Sequence, residues 1–487
     1  MPVETTASGI PLYAVPVLGP ALPEIIMVVG VLALVLYGAL RGERSTGVVT
    51  AAAIALMAFT LGFILTMSGD TQVTFSDAFI TDGFARFMKA LVLIGAIVAL
   101  AMSREHFRRL GIDRFEYPLL ILLAAIGMMV MISANDLIAL YLGLELQSLA
   151  AYVIASFHRD NARSTEAGLK YFVLGALASG MLLYGSSLVY GFTGTVSFPE
   201  IAAVVAEGPN PGVIFGLVFI AAGIAFKVSA VPFHMWTPDV YQGAPTPVTA
   251  FFASAPKVAA MALAVRVFIG AFPTIVDQWQ QIIVFLAVLS MFLGAFAAIG
   301  QRDIKRLMAY SSIANIGFAL LGLAAGTQEG VQAVLVYMAI YLVMTLGVFA
   351  CILSMRRGGV ELETIDDLAG TARTHPGFAF AMAMLMLSLA GIPPLAGFIG
   401  KYYAFWAAVE AGLTVFAVLG VIASVIGAYY YLRIAKIIYF DEPVGSYEPM
   451  PGMLRGVMTI SAVFVVGFWL VPAPLVAAAG AAARSLF

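Results

Sequence analysis

Lysines stand in the middle of segments that otherwise read as solid hydrocarbon: Lys227 in GLVFIAAGIAFKVSAVPFHMW, Lys257 in FFASAPKVAAMALAV and Lys401 in PPLAGFIGKYYAFW. A fourth, Lys170, lies a few residues inside another such segment, and a carboxylate, Glu145, interrupts IALYLGLELQSLAAYVIA. A charged side chain at bilayer depth costs roughly 2.5–3.5 kcal/mol, so it is kept where a partner or a water-filled path needs it. Several in one chain point to a route for protons or other ions. Amines and carboxylates suit that task because their hold on a proton answers to the charge beside them.

Glu145 and Lys227 form the first candidate pair, an acid and an amine that steady each other as ions and release a proton when the partner moves. The plainer alternative is a static salt bridge, although buried ion pairs are poor stabilisers on balance. Lys227 and His234 are seven residues apart, so they share a face if the helix is continuous. Histidine titrates near neutrality and suits a relay. Pro232 stands between them, and an interfacial hydrogen bond is the competing role for His234. Lys257 is too far from either end of its segment to snorkel, which favours a place on a proton path. Lys401 carries the same expectation, with Tyr402, Tyr403 and Trp406 close by and Glu410 further on, where it could face an exit. Lys170 is the weaker candidate, since it lies near a segment end and snorkelling would also explain it. In AYSSIANIGF, Ser311, Ser312 and Asn315 could hold water, but ordinary interhelical hydrogen bonding is expected of them. Arg86 and Lys89, which follow Asp82, read as structural or interfacial.

The elements that position these groups follow from composition. The chain has 487 residues, 62% hydrophobic and 11% charged, a balance that excludes a soluble globular domain. Spans of about 20 apolar residues are the natural unit, and about fourteen are expected. Backbone groups in lipid must be satisfied within their own segment, so the spans are helices, and the absence of alternating patterns argues against a membrane barrel. The fold class is therefore an all-α polytopic membrane protein. With the N-terminus outside, the loops that become cytoplasmic hold most of the 25 Lys and Arg, among them Arg104, Arg108, Arg109, Arg302, Lys305 and Arg306. The opposite loops hold Asp70, Asp77, Glu200, Glu207, Asp277 and Glu329. This asymmetry predicts that both termini lie on the outer, periplasmic side of a bacterial inner membrane.

The net charge of −2 carries little information, and no nucleic-acid partner is expected. One cysteine, Cys351, and four histidines provide neither a disulfide framework nor a thiolate metal site. The stretch MPVETTASGIPLYAVPVLGP lacks the positive start of a cleaved signal. Glycines within the spans read as close helix packing rather than phosphate loops.

Three helices (1–110) precede two stretches of similar design, helices 4–8 (111–272) and 9–13 (273–440), and a last helix (441–487) closes the chain. Helices 7 and 12 echo one another: Lys227 lies beside Pro232 and Pro238, and Lys401 beside Pro393 and Pro394. A five-helix unit has odd parity, so its second copy enters from the opposite side; inverted repeats with broken helices mark the ion site in many transporters. The loop RRGGVELETIDDLAGTARTHPG is expected to pack across the cytoplasmic helix ends.

FKVSAVPFHMWTPDVYQGAPTPV, LYLGLELQSLAAYVIASF, DIKRLMAYSSIANIGF and GIPPLAGFIGKYYAFW resemble the antiporter-like membrane subunits of respiratory complex I, the NADH:quinone oxidoreductase. The similarity is closest to the N-type subunits. The L and M types read PDAH where this chain has PDVYQGAP, usually carry tryptophan where Leu144 stands, and M has glutamate at the Lys401 position. The resemblance covers nearly the whole chain. It implies fourteen helices in two inverted five-helix repeats, with helices 7 and 12 broken. It also implies a hydrophilic axis on which Glu145 modulates Lys227, Lys227 carries the proton, Lys257 relays it and Lys401 is the terminal site. Flavin, iron–sulfur clusters and quinone are expected on other subunits, with no cofactor or metal in this chain. The implied partners are the other membrane subunits, including further antiporter-like ones, and the lipid bilayer. A subunit of a multi-subunit cation/proton antiporter is the alternative, and a non-pumping scaffold whose charges only pin helices is a third reading.

Overall fold

The computed structural model describes residues 16–208 and 210–487. The reading of the first residues as lacking a signal falls largely outside them. Long apolar runs wind into α1 (Leu22–Arg41), α2 (Thr46–Thr66), α3 (Gly83–Leu110), α4 (Glu116–Ile132), α5 (Leu137–Ala155) and α6 (Ala162–Thr193). After a short α7 (Phe198–Ala206), the seventh expected helix is divided into α8 (Pro211–Val228) and α9 (Trp236–Gly243). The eighth is also divided, at Ser254, into α10 (Thr246–Ala253) and α11 (Ala255–Val265). The second half follows with α12 (Val276–Ile299), α13 (Ile304–Ala324), α14 (Gln328–Ser354), a single turn α15 (Thr371–Thr374), α16 (Pro376–Ala390), α17 (Ala396–Glu410) and α18 (Thr414–Phe440). α19 (Gly452–Gly467) and α20 (Ala473–Arg484) end the chain. Among the described residues, eleven helical segments are long and apolar enough to cross a membrane, the first joining α1 and α2; α4 and α16 are shorter apolar helices.

Side-chain caps begin many of these helices. Asp82, Asp136, Asn161, Asn210, Asp303 and Thr327 each accept a first-turn N–H, at α3, α5, α6, α8, α13 and α14. Such a cap satisfies one of the donors that a helix start leaves without an internal partner. Small residues then let backbones meet. A Cβ on Gly127 would lie 2.4 Å from Gln147 N, and one on Gly143 would lie 2.6 Å from Met131 N, so α4 and α5 cross in direct backbone contact. Gly185 and Gly216 do the same for α6 and α8.

Burial grades from the centre outward. Segment 246–271 is wholly buried and α13 and α14 nearly so, whereas α1–α2, α18 and α19 leave most of their apolar surface outward. The Lys257 helix is thus the axis of the bundle, and the outer helices turn their apolar surface to the lipid.

Two small hairpins have no counterpart in the sequence pattern. β1 (Gln72–Thr74) pairs with β2 (Phe79–Thr81), and β3 (Arg356–Arg357) with β4 (Val360–Glu361). Both lie in loops, where two or three residues are too few to show alternation. α7 and α20 were likewise unanticipated, being shorter than a span. At one end of the bundle the loops are laced by ion pairs, Arg114–Glu43 at 3.0 Å, His106–Glu361 at 3.0 Å, Lys305–Glu363 at 2.7 Å and Arg373–Glu442 at 2.9 Å. The loop after α14 packs across the helix ends there, as expected. At the other end, Thr74 Oγ1 donates to Val17 O, Asn135 Nδ2 to Asp77 O, and Phe84 N to Ser485 Oγ.

Two buried ion pairs fasten the first helices, one to the rest of the bundle and one to each other. Arg266 donates to both carboxylate oxygens of Asp82 at 2.7 Å and, through Nε, to Ile132 O at 3.0 Å. Lys89 meets Glu24 at 2.6 Å. Arg86 has a partner as well, donating to the carbonyl of Met67.

Candidate proton path

Lys227, Lys257 and Lys401 are 8%, 1% and 5% exposed, and none has a carboxylate within ion-pair distance among the described residues. What holds them instead is hydroxyls and the ends of broken helices. α8 stops at Val228 because Ser229 takes a left-handed conformation at φ 65°. The end of a helix carries about half a negative charge on carbonyls that have no internal partner. Lys257 exploits this: its Nζ donates to Val228 O at 3.1 Å and to Ser229 Oγ, and Ser229 in turn accepts from Thr237 at 2.6 Å. Lys401 repeats the device at the second break. Its Nζ donates to Ala390 O, at the end of α16, and to Ser424 Oγ, both at 2.8 Å. A full carboxylate would bind an ammonium too firmly for easy proton loss, whereas a helix end and a hydroxyl steady the charge and leave it labile.

Lys227 is held differently. It donates to Ser148 Oγ on α5, with Tyr152 and Tyr171 rings 5.7 Å from its nitrogen. Tyr171 stacks on Trp236 at 4.4 Å, and Lys257 sits 5.1 Å over the same indole, so one aromatic pair separates the two ammonium groups. Glu145 and Lys227 do not touch. Glu145 is half-buried and accepts from Ser179 Oγ on α6. Ser148 lies one turn beyond Glu145 on α5, so acid and amine bond to different serines, Ser179 and Ser148. Ser148→Ala should remove the one hydroxyl bonded to Lys227. A hydrogen bond to a charged group contributes about 1.5–3 kcal/mol, so coupled turnover should fall roughly tenfold or more in normally assembled complex, read as quinone reduction in membrane vesicles.

Two expectations are corrected. Lys227 and His234 do not share a helical face, because the chain leaves the helix between Ser229 and Met235; His234 lies half-buried in that break with Nδ1 unpartnered. The echo between helices 7 and 12 is also displaced: Lys227 precedes its break, on α8, while Lys401 follows its own, on α17. Position for position, the ammonium that meets the first break is that of Lys257. Lys170 is outside this row. It pairs with Glu166 at 2.7 Å and Asp239 at 2.6 Å, and Asp239 also binds Arg306 at 2.6 Å, an ion cluster at the α9 end. Glu410 is exposed at the end of α17.

Between Lys257 and Lys401 the polar residues of α13 meet buried tyrosines. Ser312 accepts from Tyr341 at 2.9 Å, Asn315 Oδ1 from Tyr337 at 2.7 Å, and Ser311 shares a hydrogen bond with Tyr431 at 2.5 Å. These are interhelical bonds, as expected. Their position adds a finding: Asn315, Tyr431, Ser424 and Lys401 line one small cavity. The tyrosines were missed because single tyrosines in apolar helices look alike whether they face lipid or core.

The fold and this row of lysines define a class: a multi-pass helical membrane protein that seats cations at helix breaks, as ion transporters do. Comparison with known proteins gives the family. Residues 134–427 match the model described as NADH:quinone oxidoreductase/Mrp antiporter, transmembrane, and the chain belongs to that family. A protein of Methylobacterium nodulans named NADH-quinone oxidoreductase subunit N is 67% identical over 474 residues, 97% of this chain and 98% of its own. A chain of respiratory complex I from Thermus thermophilus superposes with a TM-score of 0.82 at 34% identity, over 93% of this chain and 98% of that one. A chain of the Mrp complex from Dietzia sp. DQ12-45-1b shares the fold, with a TM-score of 0.83 at 21% identity, over 96% of this chain and 97% of that one.

Proposed function

We propose that this chain is the N-type, antiporter-like, proton-translocating membrane subunit of a bacterial NADH:quinone oxidoreductase. It lies in the inner membrane beside the other membrane subunits, including other antiporter-like ones. The observation that carries the reading is the row of three buried lysines without carboxylate partners among the described residues, two of them seated at helix ends that the chain has broken open. A scaffold would gain nothing from ammonium groups held so lightly, since buried charges stabilise a fold poorly. The sequence identity to a subunit N protein favours this reading over a cation/proton antiporter, for which the likeness is one of fold.

In this account a charge change in a neighbouring subunit acts on Glu145. Through Ser179 and Ser148 it alters the hold on Lys227, whose proton moves past Tyr171 and Trp236 toward Lys257. From there the Ser312, Asn315 and tyrosine hydroxyls lead to Lys401. Each step is a change of proton affinity driven by an adjacent charge where the dielectric is low. His234 and Lys170 flank the path rather than lie on it. We read residues 111–272 and 273–440 as the two inverted halves, framed by 1–110 and 441–487. The basic, ion-paired loop end is assigned to the cytoplasm and both termini to the periplasmic side. Flavin, iron–sulfur clusters and quinone belong to other subunits; the buried lone Cys351 supports that division.

Deleting the gene from its host tests the assignment. NADH oxidation by a soluble artificial acceptor should persist while NADH-driven quinone reduction and proton uptake are lost, both returning with the wild-type chain. Unchanged proton uptake together with a new sensitivity to sodium would favour the cation/proton antiporter.

A further inference from the structure

An apolar trough of about 770 Å³ runs between α16 and α19, and none of the three buried lysines lines it. Its walls are the side chains of Phe378, Phe380, Met458, Ala462, Val463 and Val466. Phe380 and Val463 are themselves exposed, so the trough opens sideways, where the hydrocarbon of the membrane lies. Along α19 the lining runs from Arg455 to Gly467, a rise of about 18 Å at 1.5 Å per residue. Half of a bilayer's hydrocarbon core is about 15 Å. The trough thus has the depth of one leaflet.

Its mouth has the opposite character and lies at the end of the bundle where the basic loops gather. Arg455 and His375 both line it. Arg455 has no carboxylate within ion-pair distance among the described residues, and its guanidinium reaches only Met450 O, at 3.4 Å. The mouth's carboxylate, Glu448, is already engaged, accepting from Gly359 N at 2.5 Å and lying 3.5 Å from Arg109. α16 and α19 both begin here, and neither start is capped by a side chain. The α16 start lines the mouth through Pro376 and Gly377 and directs positive partial charge at it. A guanidinium, a helix start and an imidazole whose nitrogens meet only the hydroxyls of Thr374 and Ser446 stand above a leaflet-deep apolar channel, an arrangement that matches a phosphate headgroup above acyl chains.

We propose that this trough seats one anionic glycerophospholipid drawn from the bilayer, its phosphate at Arg455 and His375 and its acyl chains along α16 and α19. A polypeptide occupant is disfavoured because the mouth offers anion-binding groups and the body offers no hydrogen-bonding side chain deeper than Thr459.

The test uses the whole purified oxidoreductase containing this chain, washed in detergent, with retained phospholipid counted by mass spectrometry. Three versions are compared: wild type, Arg455→Gln, and Ala462→Phe, which fills the trough and leaves the mouth intact. Each is then offered vesicles of phosphatidylglycerol or of phosphatidylcholine. Wild type should retain one anionic phospholipid more than Ala462→Phe, and Arg455→Gln should lose several-fold in preference for phosphatidylglycerol. Equal lipid counts in all three, absence of any headgroup preference in wild type, or recovery of a quinone instead of a phospholipid would overturn the proposal. A neighbouring subunit cross-linking into the trough would also overturn it. The lipid count is read independently of proton uptake, so its failure is distinguishable from failure of the functional assignment.

Discussion

Lys401→Ala should assemble normally and lower coupled quinone reduction about a hundredfold, the low side of the roughly 10²–10⁴-fold that a positioned proton-transfer group supplies. Lys401 is buried, its nitrogen meets only Ala390 O and Ser424 Oγ, and the cavity beside it connects to Asn315 and Tyr431. No other ionisable amine or acid lines that cavity. Lys401→Arg separates the possible roles. A guanidinium keeps the charge and can still donate to Ala390 O, but it does not give up its proton in a protein. If Lys401 only pins α17 to α16, arginine should restore turnover. If Lys401 carries protons, arginine should be as inactive as alanine. The measurement is NADH-driven quinone reduction in vesicles, normalised to complex resolved on a native gel.

Asp82→Ala should be the most damaging change for the fold itself. It would leave Arg266, 4% exposed, with its guanidinium buried and its two charge-assisted bonds lost. Removing one partner of a buried pair costs about 3–5 kcal/mol, because the remaining charge stays desolvated. Asp82 also caps α3 through Ala85 N, which adds about 1 kcal/mol. Against a typical total stability of about 5–15 kcal/mol, that loss should leave little assembled complex. The double variant Asp82→Ala with Arg266→Leu removes both charges and should recover much of the assembled fraction, measured by native gel and by thermal unfolding in detergent. A double variant as unstable as the single one would mean that the damage comes from the lost cap and packing rather than from the stranded charge.

The lysines were legible because a charge within an apolar run announces its cost without any knowledge of its neighbours. The breaks were legible for a related reason: Pro232, Pro393 and Pro394 each remove a backbone donor from a helix that has no water to replace it. What those lysines touch was not legible. Ser229 and Val228 come to Lys257 from another helix, and Ala390 and Ser424 come to Lys401 from two others. A carbonyl oxygen leaves no trace in the residue types at all. Serine is equally silent, being common in membrane helices whether or not it faces a charge. Asp82 and Arg266 are 184 residues apart, and nothing in the local sequence of either joins them; the fold does. In the run Tyr429, Tyr430 and Tyr431, the first is 58% exposed and the other two are buried, a difference set by helix rotation and invisible in composition. Reading Lys227 and His234 as one face failed for a similar reason. Sequence separation translates into a shared face only while the helix lasts, and here it ends at Ser229.

The claim that protons pass along the buried lysines is tested most directly at Lys227, in inverted membrane vesicles carrying Lys227→Ala, with NADH-driven quinone reduction and proton uptake recorded together and assembly checked on a native gel. Both activities should fall at least tenfold in normally assembled complex. Wild-type quinone reduction and wild-type proton uptake in that variant would contradict it.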